Sequence, residues 1–119
     1  SPSQINQVLV NLLNNAAQAM GEKPDGKIEV RTRADDNHVY IDVSDNGKGM
    51  SAEVLNQIFE PFFTTKGAGE GTGLGMAISQ QSMEQHNGDI KTVSTEGVGT
   101  TFTLTLPIDN DLTEQNLAA

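Results

Sequence analysis

The chain has 119 residues, a formal net charge of −9 and a sequence pI near 4.4, which is enough for one domain with a modest core and too short for two. Sixteen acidic against seven basic side chains leave no cationic surface to displace counterions from a nucleic-acid backbone, so nucleic acid is excluded as a partner. With no cysteine there is neither a disulfide framework nor a thiolate metal site, and no apolar run approaches membrane-spanning length.

Ser1-Pro2 or Ser3 can cap a first helix that places Ile5, Leu9, Leu12, Leu13, Ala16 and Met20 on one face and stops at Gly21. The chain opens inside this helical pattern without an initiator methionine. We therefore expect a cytoplasmic domain of a longer protein, without direct membrane contact of its own, whose parent is open to membrane anchoring. KIEVRTRA and HVYIDVSD then alternate in polarity around Asp35-Asp36-Asn37, which predicts an antiparallel hairpin with Ile28, Val30, Val39, Ile41 and Val43 on its core face. Ser51 caps a short helix, SAEVLNQIF, that Pro61 stops. EPFFTTKGAGEG is a long irregular segment, and a further helix runs from about Gly73 to His86, closed by Asn87-Gly88. DIKTVST and TTFTLTLP form a second hairpin through Glu96-Gly97-Val98-Gly99. The polar, acidic tail, residues 108–119, shows no periodicity and is expected to be disordered, leaving residues 1–107 as the domain. The sum predicts an α+β two-layer sandwich, with about three helices on one face of a mixed, mainly antiparallel sheet.

Four stretches break the pattern. Glycine falls at every second position from Gly67 to Gly75, just before a helix. Such a run is either a flexible surface loop or one whose bare N–H groups approach a phosphate at a helix N-terminus. In the second strand, the inward parity of Val39, Ile41 and Val43 continues to Asp45, where a buried unpaired carboxylate would be costly. Asp45-Asn46-Gly47 would read as a hairpin turn, but a helix follows instead of a strand. On the last strand the inward set Phe102, Leu104 and Leu106 extends back to Thr100, so an acid and a hydroxyl enter one apolar pocket, a pairing that suits the amino edge of a purine. Asn11, Asn15 and Gln18 form a stripe beside the apolar face of the first helix. This is either a solvated face or a source of neutral oxygen for Mg²⁺, a hard cation that keeps waters and takes phosphates as further ligands.

Taken in order, NLLNNA (residues 11–16), DNGKGM (45–50), FEPFFTTK (59–66), GTGLGMAIS (71–79) and GVGTTFTLTLP (97–107) closely resemble the catalytic ATP-binding domain of two-component sensor histidine kinases, over residues 5–107. The resemblance implies a Bergerat-type sandwich that holds Mg²⁺-ATP between the first helix, the sheet and a mobile lid of about residues 61–73. It makes Asn15 the Mg²⁺ ligand, with Asn11 and Gln18 on the same stripe. Asp45 would accept from the adenine amino group with Thr100 in support, while Gly47, Gly49 and Met50 pass close to the base. Phe59, Phe62 and Lys66 would belong to the lid hinge, and Gly71, Thr72, Gly73, Leu74, Gly75 and Met76 to the lid's end and the phosphate-facing helix start. A P-loop is excluded for want of its lysine, and a dinucleotide fingerprint because no strand precedes the glycines.

Relatives of the gyrase, chaperone and mismatch-repair type that hydrolyse ATP carry a glutamate one turn before the Mg²⁺ asparagine, whereas this chain has Asn11, and a neutral amide is no general base. The resemblance therefore implies a protein-histidine kinase that donates the γ-phosphoryl group to a histidine on a separate helical dimerisation domain, with a response-regulator receiver as the next partner. His38 and His86 are badly placed for that acceptor role. The alternatives are a protein serine kinase of the same superfamily and a non-catalytic ATP-binding docking module.

Overall fold

The computed structural model describes residues 2–61 and 75–108. The expected lid, with Phe62, Lys66, Gly71, Thr72, Gly73 and Leu74, lies outside the described residues, as does the tail from residue 109.

Helix α1 spans Pro2–Met20, with proline in the first turn, where its missing N–H costs no hydrogen bond. Gly21 ends it in the left-handed region, at φ +55°, which glycine alone adopts without strain. Val8, Leu12 and Ala16, spaced at i, i+4 and i+8, form its buried row. Leu13 was expected there and is 38% exposed, because at 100° per residue it falls on the helix flank away from that row. Val8 occupies the core in its place.

Strands β1 (Ile28–Ala34) and β2 (His38–Asp45) form the first hairpin, and β3 (Asp89–Thr95) and β4 (Gly99–Pro107) the second. The sheet order is β1-β2-β4-β3, all antiparallel among the described residues, so the two hairpins meet along β2 and β4. On its core face Val43, Phe102, Leu104 and Ile90 are buried against α1 and helix α3 (Gly75–Gln85), whose Met83 is fully enclosed. Each such side chain contributes about 1.5–3 kcal/mol by leaving water. Val30 was also expected in the core, but β1 is an edge strand, α1 lies over β2, and Val30 remains 53% exposed. The opposite face is polar, with Thr101 and Thr103 beside Ser44 and Asp42.

Helix α2 is shorter than the sequence suggests. It covers Ala52–Leu55, with Ser51 Oγ accepting the Val54 N–H at 3.2 Å, and passes into turns before Phe59. Its partly buried Val54 and Leu55, with Ile58 and Phe59 beyond it, pack on the core. At the end of α3, Asn87 adopts φ +59° and Gly88 N–H reaches the Met83 carbonyl at 2.8 Å, the closure expected of Asn87-Gly88. Among the described residues no helix is long and apolar enough to cross a membrane.

Candidate functional site

The side-chain alternation of β2 delivers Asp45 to the core face at the strand's last residue. The register sets Thr100 of β4 directly opposite it, Ser94 of β3 opposite Thr100, and Ile28 of β1 on the other flank. One end of an otherwise apolar face is thus a short polar row. The row beneath it, Val30, Val43, Phe102 and Thr92, is apolar except for the Thr92 hydroxyl, which is buried without a hydrogen-bond partner among the described residues.

Asp45 Oδ1 accepts the Gly47 N–H at 2.9 Å, which turns the chain out of the strand. The loop that follows is held from two sides. Lys48 donates its N–H to the Ala19 carbonyl at 3.0 Å, and its own carbonyl accepts the Gly97 N–H at 2.7 Å. Two glycines make this approach possible. A Cβ at Gly47 would come within 2.6 Å of the Ala19 carbonyl group, and at Gly49, where φ is +67°, it would overlap the Thr95 carbonyl oxygen. Asn46 fastens the loop ahead of β1 through Lys27 N–H to Oδ1 at 2.7 Å and Nδ2 to the Asp25 carbonyl at 2.9 Å. Met50 N–H donates to Ser94 Oγ at 2.8 Å while the Met50 side chain packs on the core.

The other end of the site lies two turns back along α1. Asn11 Nδ2 donates to Ser79 Oγ at 3.1 Å and reaches the Gly75 carbonyl at 3.5 Å, and Asn15 Nδ2 contacts Met76 Sδ at 2.9 Å. The asparagine stripe therefore faces the N-terminal turn of α3, the end of a helix that favours anions. Gln18 continues the stripe and is exposed. From Ala19 to Asn11 the helix rises about 12 Å, a span that accommodates a nucleoside and its phosphate chain. Among the described residues no three His, Asp or Glu side chains cluster as a metal site. A cation here would be held by neutral amide oxygen, Asn15 first, together with ligand phosphates and water, and Mg²⁺ accepts such a set.

Two other carboxylates are engaged by hydroxyl donors away from this row. The Thr103 hydroxyl, at 2.7 Å, and then Arg33 hold Asp42 below the usual carboxylate range on the far sheet face. The Tyr40 hydroxyl and two backbone N–H groups do the same for Asp35 at the β1–β2 turn, and the Tyr40 phenol is pushed up in return. A cleft of about 270 Å³ on that far face, lined by Glu29, Arg31, Asp42, Ser44 and Thr101, is open and polar and stands apart from the Asp45 row.

Of the expected site residues, the structure brings together Asp45, Gly47, Gly49, Met50 and Thr100 at one end and Asn11, Asn15, Gly75 and Met76 at the other; Phe59 packs with the core beneath them. Sequence reasoning missed Ser94, Ser79 and Asn46. Ser94 was within reach, since Ile90, Thr92 and Ser94 share one strand parity, while Ser79 and Asn46 owe their roles to tertiary contacts.

The model of the histidine kinase-, DNA gyrase B-, and HSP90-like ATPase family matches residues 1–110. The chain is 48% identical over 108 residues to the sensor histidine kinase ZraS of Escherichia coli K12, covering 91% of this chain and 22% of that protein. It is 43% identical to sporulation kinase E of Bacillus subtilis, over 96% of this chain and 15% of that one. The chain thus spans 22% and 15% of the lengths of these two curated relatives. Among solved structures it superposes on a mycobacterial sensor histidine kinase, MprB, with a TM-score of 0.78 and 28% identity, over 90% of this chain and 74% of that one. It also superposes on the catalytic domain of histidine kinase ThkA, at 0.77 and 36%, over 90% and 69%.

Proposed function

We propose, for a chain that belongs to the histidine kinase-, DNA gyrase B-, and HSP90-like ATPase family, that it binds Mg²⁺-ATP and presents the γ-phosphoryl group to a histidine of a separate helical phosphoacceptor domain. Residues 1–107 act as the ATP-binding domain of a sensor kinase that relays phosphate to a response-regulator receiver in the cytoplasm. The observation that carries this reading is the distribution of polar groups along the α1 flank. An acid and a hydroxyl sit at its sheet end, and neutral amides face a helix N-terminus at the other.

Asp45 would accept from the adenine amino group, with Thr100 beside it. Asn15 would ligate Mg²⁺, and the ion would neutralise charge on the transferring phosphoryl group. Asn11 stands where hydrolytic relatives carry a glutamate, so water lacks a base, and positioning for an external nucleophile remains. Neither histidine of this chain serves as acceptor. His38 sits at the β1–β2 turn, and His86 Nδ1 lies 2.7 Å from the Ser82 carbonyl at the end of α3.

The test is radiolabelled ATP incubated with this chain, with and without a helical phosphoacceptor hairpin, followed by acid treatment. Acid-labile label on the hairpin alone is expected. Acid-stable label would favour a serine kinase, label on this chain alone would overturn the division of labour, and no label would favour a non-catalytic module.

A further inference from the structure

We infer that Ser94 is a positioning residue of the nucleotide site, coupling the 46–50 loop to Thr100. The inference rests on the purine reading of the Asp45 end. Ser94 lies on the core face of β3, opposite Thr100, with its side chain only partly buried. Its single hydroxyl touches three groups. Met50 N–H donates to it at 2.8 Å, Thr100 Oγ1 lies 2.8 Å away, and the Gly99 carbonyl lies 3.2 Å away.

A hydroxyl has one proton and two lone pairs. The Met50 N–H fills one lone pair, so the proton goes either to the Gly99 carbonyl or to Thr100. In the first arrangement Thr100 donates to Ser94; in the second it accepts from Ser94. Both engage Thr100 on its β3 side, and both leave its remaining hydrogen-bonding capacity for the β2 side, where Asp45 stands. The same oxygen fixes the end of the loop whose beginning is the Asp45–Gly47 turn. Ser94 thereby holds the hydroxyl wall and the loop wall of the pocket at one spacing, without touching the base itself.

The cluster joins three elements, the 46–50 loop, β3 and β4, at one side chain. The 46–50 loop approaches β3 closely enough to exclude any side chain at Gly49, and Thr100 is 6% exposed. A hydroxyl placed there for stability alone would need one of these contacts; it makes the Met50 and Thr100 contacts in either arrangement, and the Gly99 contact as well when Thr100 is the donor. The coupling should therefore appear in base recognition and not only in folding.

The experiment is calorimetry of this chain with ADP in the absence of magnesium, for wild type, Ser94→Ala, Thr100→Val and the double variant. We expect Ser94→Ala and Thr100→Val each to weaken ADP binding roughly five- to tenfold. The double variant should be no weaker than Thr100→Val alone, and Ser94→Thr, which keeps the hydroxyl, should restore most of the loss. An unchanged ADP affinity in Ser94→Ala, or additive losses in the double variant, would overturn the inference. If Ser94→Ala does not fold, Ser94→Cys takes its place in the cycle, since it keeps the volume and weakens the hydrogen bonds; additive losses there would overturn the inference equally. Wild-type chain that does not bind ADP would bring down the purine reading itself, a result distinct from loss of coupling in a chain that binds.

Discussion

Asp45→Asn changes one atom of the side chain and leaves its local role intact, because an asparagine Oδ1 can still accept the Gly47 N–H that Asp45 takes at 2.9 Å. The turn, the 46–50 loop and the fold should survive. What changes is the second oxygen, which becomes an NH₂ group and, in the proposed pose, would meet the purine amino group donor to donor. A hydrogen bond to a charged acceptor contributes about 1.5–3 kcal/mol. Losing it weakens binding roughly 10- to 150-fold at about 1.4 kcal/mol per decade. Because the loss lies at the base, ATP and ADP should suffer equally. Calorimetry with both nucleotides, alongside thermal melting without ligand, checks this. Wild-type affinity in Asp45→Asn would refute the assignment, and so would a melting temperature so depressed that weakened binding merely reports unfolding.

Asn15→Ala should shrink the enhancement of ATP binding by Mg²⁺ while leaving Mg²⁺-free ADP binding near wild type; an unchanged Mg²⁺ dependence in calorimetric titrations would make Asn15 only a packing partner of Met76. Thr92→Val replaces a buried hydroxyl that has no partner among the described residues by a methyl group of similar shape, and should raise stability to urea by roughly 1 kcal/mol, with a lowered midpoint as the contrary result. Asp42 has its folded-state pKa depressed first by Thr103 and then by Arg33, so its contribution is complete above its unfolded value near ~4 and is lost as pH falls through the lower folded value. Thr103→Val should therefore flatten the acid limb of urea stability below about pH 4, and an unaltered limb would remove Asp42 from the account of acid unfolding.

Period-two alternation made both hairpins legible, because each strand has one wet face and one dry face, and Asp45 stood out as a charge at a dry-face position. Helix α1 was legible as amphipathic, but the width of its buried stripe was not. Leu13 and Val8 are equivalent to a hydropathy pattern and separate only once α1 is laid across β2. Val30 escaped for a related reason, since nothing in its strand says that β1 will be an edge. At the site, motif residues with their own chemistry were found, while those that hold the motif in place were not. Ser94, Ser79 and Asn46 are ordinary polar residues until the 46–50 loop, α1 and the loop ahead of β1 arrive beside them.

The seam between β2 and β4 joins two hairpins that are each local in sequence, and the pair Asp45 and Thr100 straddles it. Docking the hairpins requires closure of a long loop, the slow kind of contact in folding kinetics, whereas each hairpin forms from near neighbours. Asp45 comes from one hairpin and Thr100 from the other. A nucleotide held by both residues, as proposed, would clamp two independently nucleating pieces together and stabilise the docked state by mass action, by an amount that grows as the logarithm of its concentration over its Kd. The molecule's resistance to opening along this seam would then rise with the concentration of adenine nucleotide around it.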